Sequence, residues 1–172
     1  MTVPARAHSF GLTMAEPDVQ DLKGIGGWLI LVAVGLCLQP LLLLKALSEN
    51  AAAFKPDTWD VLTTPGTSAY HPLWGPLLVA ETGVNLVLLA WSGVLLYFFF
   101  SKGRRFPRMV IVYMGVSVAA VIADLAVANA IPVARARLTA SEYGQVARSV
   151  IGAAIWIPYF LRSRRVAATF VN

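Results

Sequence analysis

Five polar side chains lie within long apolar stretches of this sequence, where an ionisable group is costly. They are Lys45, Glu81, Asn85, Asp124 and Arg148. A charged side chain at the centre of a membrane helix costs about 2.5–3.5 kcal/mol on insertion scales, so such residues often mark a functional site. The chemistry that these residue types offer is the binding of a ligand or an ion, or the transfer of a proton.

The spacing of these residues predicts one cluster in the outer half of a bilayer. Counting from the basic ends of the stretches places the charged members about 20–28 Å from the inner surface, at ~1.5 Å per residue. Glu81 and Asn85 are four residues apart and share one helix face. Asp124 and Arg148 are flanked by small residues at four-residue spacing, which lets membrane helices approach closely. Lys45 and Arg148 would then balance Glu81 and Asp124.

Two interpretations of this cluster stay open. In the first, Asp124 and Arg148 only staple neighbouring helices together, while Lys45 and Glu81 extend to the outer headgroups. In the second, the cluster is a site for a ligand, an ion or a proton. Both interpretations require that the stretches are membrane-spanning helices.

Four apolar stretches carry these residues. They are Gly27–Leu47, Leu73–Phe100, Pro107–Ile131 and Tyr143–Leu161. Each is at or near the ~20 residues with which an α-helix crosses a hydrocarbon core ~30 Å thick. The chain is 58% hydrophobic and only 13% charged, whereas soluble domains carry about 25% charged residues. The sequence therefore predicts an all-α fold, a four-helix transmembrane bundle.

Basic residues at the ends of the stretches predict the orientation of the bundle. Cytoplasmic loops collect Lys and Arg close to the spans. The residues that follow this rule here are Lys102, Arg104, Arg105 and Arg108 between the second and third stretches, and Arg162, Arg164 and Arg165 after the fourth. Arg135 and Arg137 depart mildly from this rule, because they lie before the fourth stretch in a loop predicted to be outside. We expect a multi-pass protein of the bacterial inner (plasma) membrane with both termini cytoplasmic.

The remaining segments are short. Residues 1–24 are predicted as a mobile cytoplasmic tail, residues 25–162 as the transmembrane domain, and residues 163–172 as a basic cytoplasmic tail. In the outer loop, residues 48–72, Pro and Gly break any long helix, and the aromatic residues favour the level of the lipid headgroups. The loop either folds down over the membrane surface or the bundle, or it recognises a partner. Met14 is an alternative start to Met1.

No motif for catalysis or for a cofactor is evident, so we predict no catalytic residue, no cofactor and no enzyme activity. The single Cys37 excludes an intrachain disulfide and a cysteine-based metal site. His71 has no second ligand nearby in sequence, so we predict no metal site. The basic residues form no basic face, which argues against nucleic acid as a partner. The expected partners are the lipid bilayer and either other membrane proteins or further copies of the chain.

Several short segments, in a fixed order, resemble one known family. They are Gly26–Leu29, Tyr70–Trp74, Phe106–Pro107, Ile155–Leu161 and the basic tail Arg162–Thr169. In this order they are similar to the bacterial membrane-protein family catalogued as domain of unknown function 2569, over roughly Gly24 to Val171. The resemblance implies a four-helix protein of the bacterial inner membrane and supplies no catalytic residues.

Two functions fit this sequence. The first is a non-enzymatic accessory or structural component of a membrane complex or envelope process. The alternative is an oligomeric transporter, or an ion- or proton-conducting protein, that uses the polar cluster.

Overall fold

The computed structural model describes residues 24–172, and these residues form helices and turns without any strand. In chain order the helices are α1 (Trp28–Asn50), α2 (Pro56–Thr63), α3 (Trp74–Phe100), α4 (Phe106–Ala130), α5 (Pro132–Arg135), α6 (Ala140–Arg162) and α7 (Arg164–Thr169), with a 3-10 turn at Ala51–Phe54 after α1. The predicted N-terminal tail, residues 1–24, lies outside the described residues except for Gly24. The all-α prediction is confirmed for the part of the chain that the structure describes.

Three helices are long and apolar enough to cross a membrane: α1 with its 3-10 extension, α3 and α4. Helix α6 is not among them, which corrects the predicted count of four apolar spans. Its first half contains Gln145, Arg148 and Ser149, and these residues lower its mean hydropathy. α6 is nevertheless as long as α1, with 23 residues in each helix.

Large apolar side chains cover the outer surface of the long helices. Exposed examples are Leu38, Leu41, Leu42, Val79, Leu86, Val87, Val112, Ile151 and Ile155. A soluble monomer rarely shows so extensive an apolar surface, whereas acyl chains match it. The fold is therefore that of a helical membrane protein.

The long helices pack in the order α1, α3, α4, α6, each mainly against its neighbours in this series. α4 and α6 run antiparallel along their whole lengths. At one end the rings of Phe106 and Phe160 are 5.9 Å apart, and at the other the Tyr143 hydroxyl donates a hydrogen bond of 3.0 Å to Asn129 Oδ1. α6 therefore packs against α4 from one end of α4 to the other. We call the end with the α3–α4 turn and α7 the basic end, and the other the loop end.

The basic end has a dense core. Leu29, Leu95, Phe99 and Phe106 are fully buried there, and the Phe99 and Phe106 rings meet edge to face at 5.1 Å. Aromatic pairs in this geometry stabilise beyond their buried area. The bundle is closed at this end.

A tight turn connects α3 to α4 at the basic end. Gly103 N–H donates to the Phe98 carbonyl at 2.8 Å and Lys102 N–H to the Phe99 carbonyl at 3.2 Å. Lys102 has φ 55°, so these bonds form a Schellman motif with a non-glycine residue in the left-handed position. Phe106 and Pro107 then start α4, where a missing proline N–H costs nothing.

The predicted basic tail, residues 163–172, packs as part of the fold. After α7, the Phe170 ring is buried and stacks on Phe106 at 4.6 Å between ring centroids. Asn172 N–H donates to the Lys102 carbonyl at 3.2 Å, and Arg104 N–H donates to the Asn172 carbonyl at 2.6 Å. The apolar residues of this segment therefore complete the core of the basic end.

The outer loop predicted at residues 48–72 is largely helical. α1 continues to Asn50, and α2 brings Trp59 onto the start of α3, where Trp59 lies against Gly75. The Trp74 indole donates to the Ala69 carbonyl at 3.1 Å. Of the two expectations for this loop, the structure favours one that folds back on the bundle.

Candidate functional site

A partly open cavity lies between the halves of the long helices nearest the loop end. Its volume is about 810 Å³. All four long helices contribute to its wall, and most of the lining is apolar, including Leu42, Leu77, Leu88, Val84 and Val121. The cavity exists because small residues line α4 and α6 here, among them Ala120, Ala123 and Gly152, where the basic end has aromatic rings.

Four of the five predicted polar residues line this cavity. Glu81 and Asn85 reach it from α3, Asp124 from α4 and Arg148 from α6. The shared helix face of Glu81 and Asn85 explains why both point the same way. The structure thus brings together side chains that are far apart in the sequence.

Lys45 lies outside the cavity. Its ammonium group pairs with Glu49, one turn later on α1, and both side chains are exposed. The predicted balance of Lys45 and Arg148 against Glu81 and Asp124 is therefore wrong. Residues 24–172 contain no other ion pair, so no ion pair joins Arg148 to Asp124.

The charged groups of the cavity are an acidic pair and one guanidinium group that is not paired with it. The carboxyl groups of Glu81 and Asp124 are close enough for their charges to interact. The Arg148 guanidinium folds back along α6 over Gly144, where an added methyl group would lie 3.3 Å from Arg148 Nη1. The result is an acidic pair and a separate cationic group on one mostly apolar wall.

Two further polar groups line the cavity, Gln39 from α1 and Tyr113 from α4. Gln39 is a polar residue of the first apolar stretch, as the sequence already shows, whereas sequence reasoning missed Tyr113. Tyr113 is 6% exposed, and its hydroxyl lies near Gln39 and Ser117 without completing a hydrogen bond of ordinary geometry. A buried hydroxyl in this state is costly, and a ligand atom in the cavity would satisfy it.

The lining suits non-covalent binding. Cavities of about 300–1,000 Å³ with apolar walls and a few convergent polar groups are typical of small-molecule sites. Among residues 24–172, no three His, Cys, Asp or Glu side chains come together as metal ligands. The charged and apolar lining residues can recognise charge and apolar shape.

A chain with three apolar helices of membrane-spanning length is a multi-pass membrane protein of the helical class. A family model described as "Protein of unknown function (DUF2569)" matches residues 22–171. The chain therefore belongs to the DUF2569 family, and the predicted family is confirmed. Neither a curated protein nor a solved structure matches it.

Proposed function

We propose that this protein is a non-enzymatic accessory component of the bacterial inner membrane whose loop-end cavity binds an amphipathic ligand. The observation that carries this proposal is the presence of Glu81, Asp124 and Arg148, from three helices, around one apolar cavity. The ligand would be a molecule with an amine or zwitterionic head and an apolar tail.

The proposed topology has four spans with both termini cytoplasmic. Its support is the antiparallel packing of α6 along α4, together with the hydrogen bonds between Asn172 and the α3–α4 turn. These contacts return the chain to the basic end after α6. A helix buried against neighbouring spans tolerates polar residues, because they face the bundle or its cavity. Basic residues at this end favour the cytoplasmic side, which puts the cavity in the outer leaflet.

The charges of the cavity suggest the chemical class of the ligand. Two carboxyl groups would attract an ammonium group, and the guanidinium of Arg148 would attract a phosphate. A phospholipid with an ethanolamine head carries both groups and has acyl chains that suit the apolar wall. The unsatisfied Tyr113 hydroxyl in the cavity supplies one further polar contact.

The proposal is tested by native mass spectrometry of the detergent-solubilised protein titrated with phosphatidylethanolamine. A hydrogen bond to a charged group contributes about 1.5–3 kcal/mol. Asp124→Asn and Arg148→Gln should therefore each weaken binding by about tenfold or more. Ala120→Leu should also weaken binding, because it fills part of the cavity without changing a charge.

Lys45→Gln is the matched control, because it removes a charge at a similar depth outside the cavity. It should leave phosphatidylethanolamine affinity unchanged, and the melting temperature of each variant reports folding. The proposal fails if folded Asp124→Asn and Arg148→Gln bind as tightly as the native protein. It also fails if Lys45→Gln weakens binding as much as they do.

The alternative of an oligomeric transporter is less well supported by the geometry. The core around Leu95, Phe99 and Phe106 closes the basic end, so one bundle has no continuous path from end to end. A transport pathway would need to form between copies of the chain. Solute flux by the purified protein in liposomes would favour this alternative over simple binding.

A further inference from the structure

A second cavity lies at the basic end, separate from the one described above. Its volume is about 560 Å³, and it is lined by Arg104, Arg105, Arg108, Met109 and Phe170. The three arginines come from the α3–α4 turn and the first turn of α4. They bring three guanidinium groups to one concave surface whose other lining residues are apolar.

No acidic side chain pairs with the arginines of this cavity within the described part of the chain. The ion pair Lys45–Glu49 is the only one among residues 24–172, so Arg104, Arg105 and Arg108 have no acidic partner there. The first turn of α4 contains no acidic residue and no side-chain cap. The partial positive charge of this helix end adds to that of the arginines. The cavity is therefore a strong local attractor for an anion.

The walls of the cavity are held in place by contacts from three segments. The Schellman bonds fix the turn that carries Arg104 and Arg105. The stacking of Phe170 on Phe106, and the bonds between Asn172 and the turn, fix the C-terminal wall. An arginine on such a frame loses less freedom on binding than one on a mobile loop.

The position of the cavity defines its surroundings in the membrane. α3 ends at Phe100 and α4 begins at Phe106, and both are membrane-spanning by length and composition. The turn between them therefore lies at the level of the lipid headgroups, whichever face of the membrane it occupies. Arg104, Arg105 and Arg108 are exposed at that level.

We infer that this cavity is a binding site for the headgroup of an anionic phospholipid. The guanidinium groups hold the phosphate, because their planar donors match phosphate geometry. Met109 and Phe170 contact the first carbons of an acyl chain. The site uses none of the residues of the loop-end cavity, so it does not depend on the proposed function.

The test is native mass spectrometry of the full chain titrated separately with phosphatidylglycerol, phosphatidylcholine and free glycerol phosphate. Phosphatidylglycerol should bind tightest. Each of Arg104→Gln and Arg108→Gln should weaken it by about tenfold, since each removes a charge-assisted hydrogen bond to the phosphate. Phe170→Ala should weaken it with no change in charge, and the melting temperature without lipid shows whether this variant folds.

Lys102→Gln is the matched control, because Lys102 belongs to the same turn and is exposed but does not line the cavity. It should keep the phosphatidylglycerol affinity within about twofold of the native protein, as expected for surface substitutions away from a site. An equal loss in Lys102→Gln and the arginine variants would mean diffuse attraction and would overturn the inference. Glycerol phosphate displacing the lipid at similar concentration would overturn it too, because the site would then recognise a soluble phosphate.

Discussion

Lys45 shows how far single residues could be placed from the sequence. The depth of a residue follows from its distance to a span end, and its face follows from helical spacing. These rules brought Glu81, Asn85, Asp124 and Arg148 to a common region. They misplaced Lys45 because the cavity face of α1 includes Gln39, Leu43 and Ala46, and Lys45 lies outside this face. The helix continues to Asn50, so Glu49 lies one turn after Lys45 and pairs with it.

Tyr113 could not be recognised as a cavity residue in the same way. Tyrosine is common in membrane proteins, at interfaces and in packed cores, so its presence in a span does not mark a site. Whether Tyr113 packs in a core or faces a cavity depends on what lies opposite it. Here Ala120, Ala123 and Gly152 leave that space open, and only the assembled bundle shows their arrangement.

Gly103 provides a prediction at the scale of one residue. A methyl group on Gly103 would lie 2.5 Å from Phe98 Cδ1, so Gly103→Ala must displace a ring at the turn that holds the basic end together. Overpacking of this kind costs about 1–3 kcal/mol. We expect a lower melting temperature in detergent for Gly103→Ala than for the native protein.

Gly93→Ala is the control for that prediction, because no atom lies within 4 Å of the added methyl group. Alanine in place of glycine inside a helix is favourable by about 1 kcal/mol. Gly93→Ala should therefore equal or exceed the native melting temperature. If both variants melt alike, the turn at Gly103 is more adaptable than its packing indicates.

At the scale of elements, the C-terminal segment was the least predictable. Its sequence was interpreted from its arginines, which fit a surface tail. The side chains that determine where this segment packs are Val166 and Phe170, which are four residues apart and both buried. Two apolar residues are too few for a periodic signal. Phe170 packs on the rings of Phe99 and Phe106, which lie more than sixty residues earlier in the chain.

The start of α6 was foreseeable but was not identified. Thr139 and Glu142 form a capping box, in which Thr139 N–H donates to the Glu142 carboxylate at 2.8 Å. The spacing of Thr and Glu in the sequence is the signature of this motif. The helix therefore begins at Ala140, ahead of the apolar stretch that begins at Tyr143.

The capping box leads to a prediction about the loop end. Replacing a capping Thr by Ala costs about 1 kcal/mol of helix stability, so Thr139→Ala should speed amide hydrogen exchange in the first turn of α6 by about fivefold. Exchange near Pro158, at the other end of α6, should not change, which provides an internal control. Uniform acceleration along α6 would contradict a local effect.

The capping box of Thr139 and Glu142 should stabilise α6 less in acid. The hydroxyl and then the N–H of Thr139 hold the pKa of Glu142 below its usual value of 4.5. A lowered carboxyl pKa means that the stabilisation is complete above the usual value and is lost as the pH falls through the folded one. The native protein and Glu142→Gln should therefore differ in first-turn exchange at neutral pH and converge only as the pH falls below the lowered pKa of Glu142.

At the scale of the whole molecule, the two ends of the bundle differ in packing. The basic end has an aromatic core completed by the C-terminal segment, and the loop end encloses the cavity. The positions of the long helices followed from apolar length, because each stretch satisfies its backbone only as a helix in lipid. The difference between the ends did not follow, since it depends on which rings meet across helices.

The packing of the segment after α6 against the α3–α4 turn predicts that both lie on the same side of the membrane. Single cysteines replace Ser68 in the outer loop, Ser101 in the turn and Val171 near the C-terminus, all exposed, in a chain with Cys37→Ala. In intact spheroplasts, an impermeant maleimide should label Ser68→Cys only. Ser101→Cys and Val171→Cys should react only after permeabilisation, because Asn172 is hydrogen-bonded to that turn and basic loops stay cytoplasmic. Labelling of Val171→Cys together with Ser68→Cys would show that α6 does not cross the bilayer, and labelling of Ser101→Cys from outside would show that the orientation is reversed.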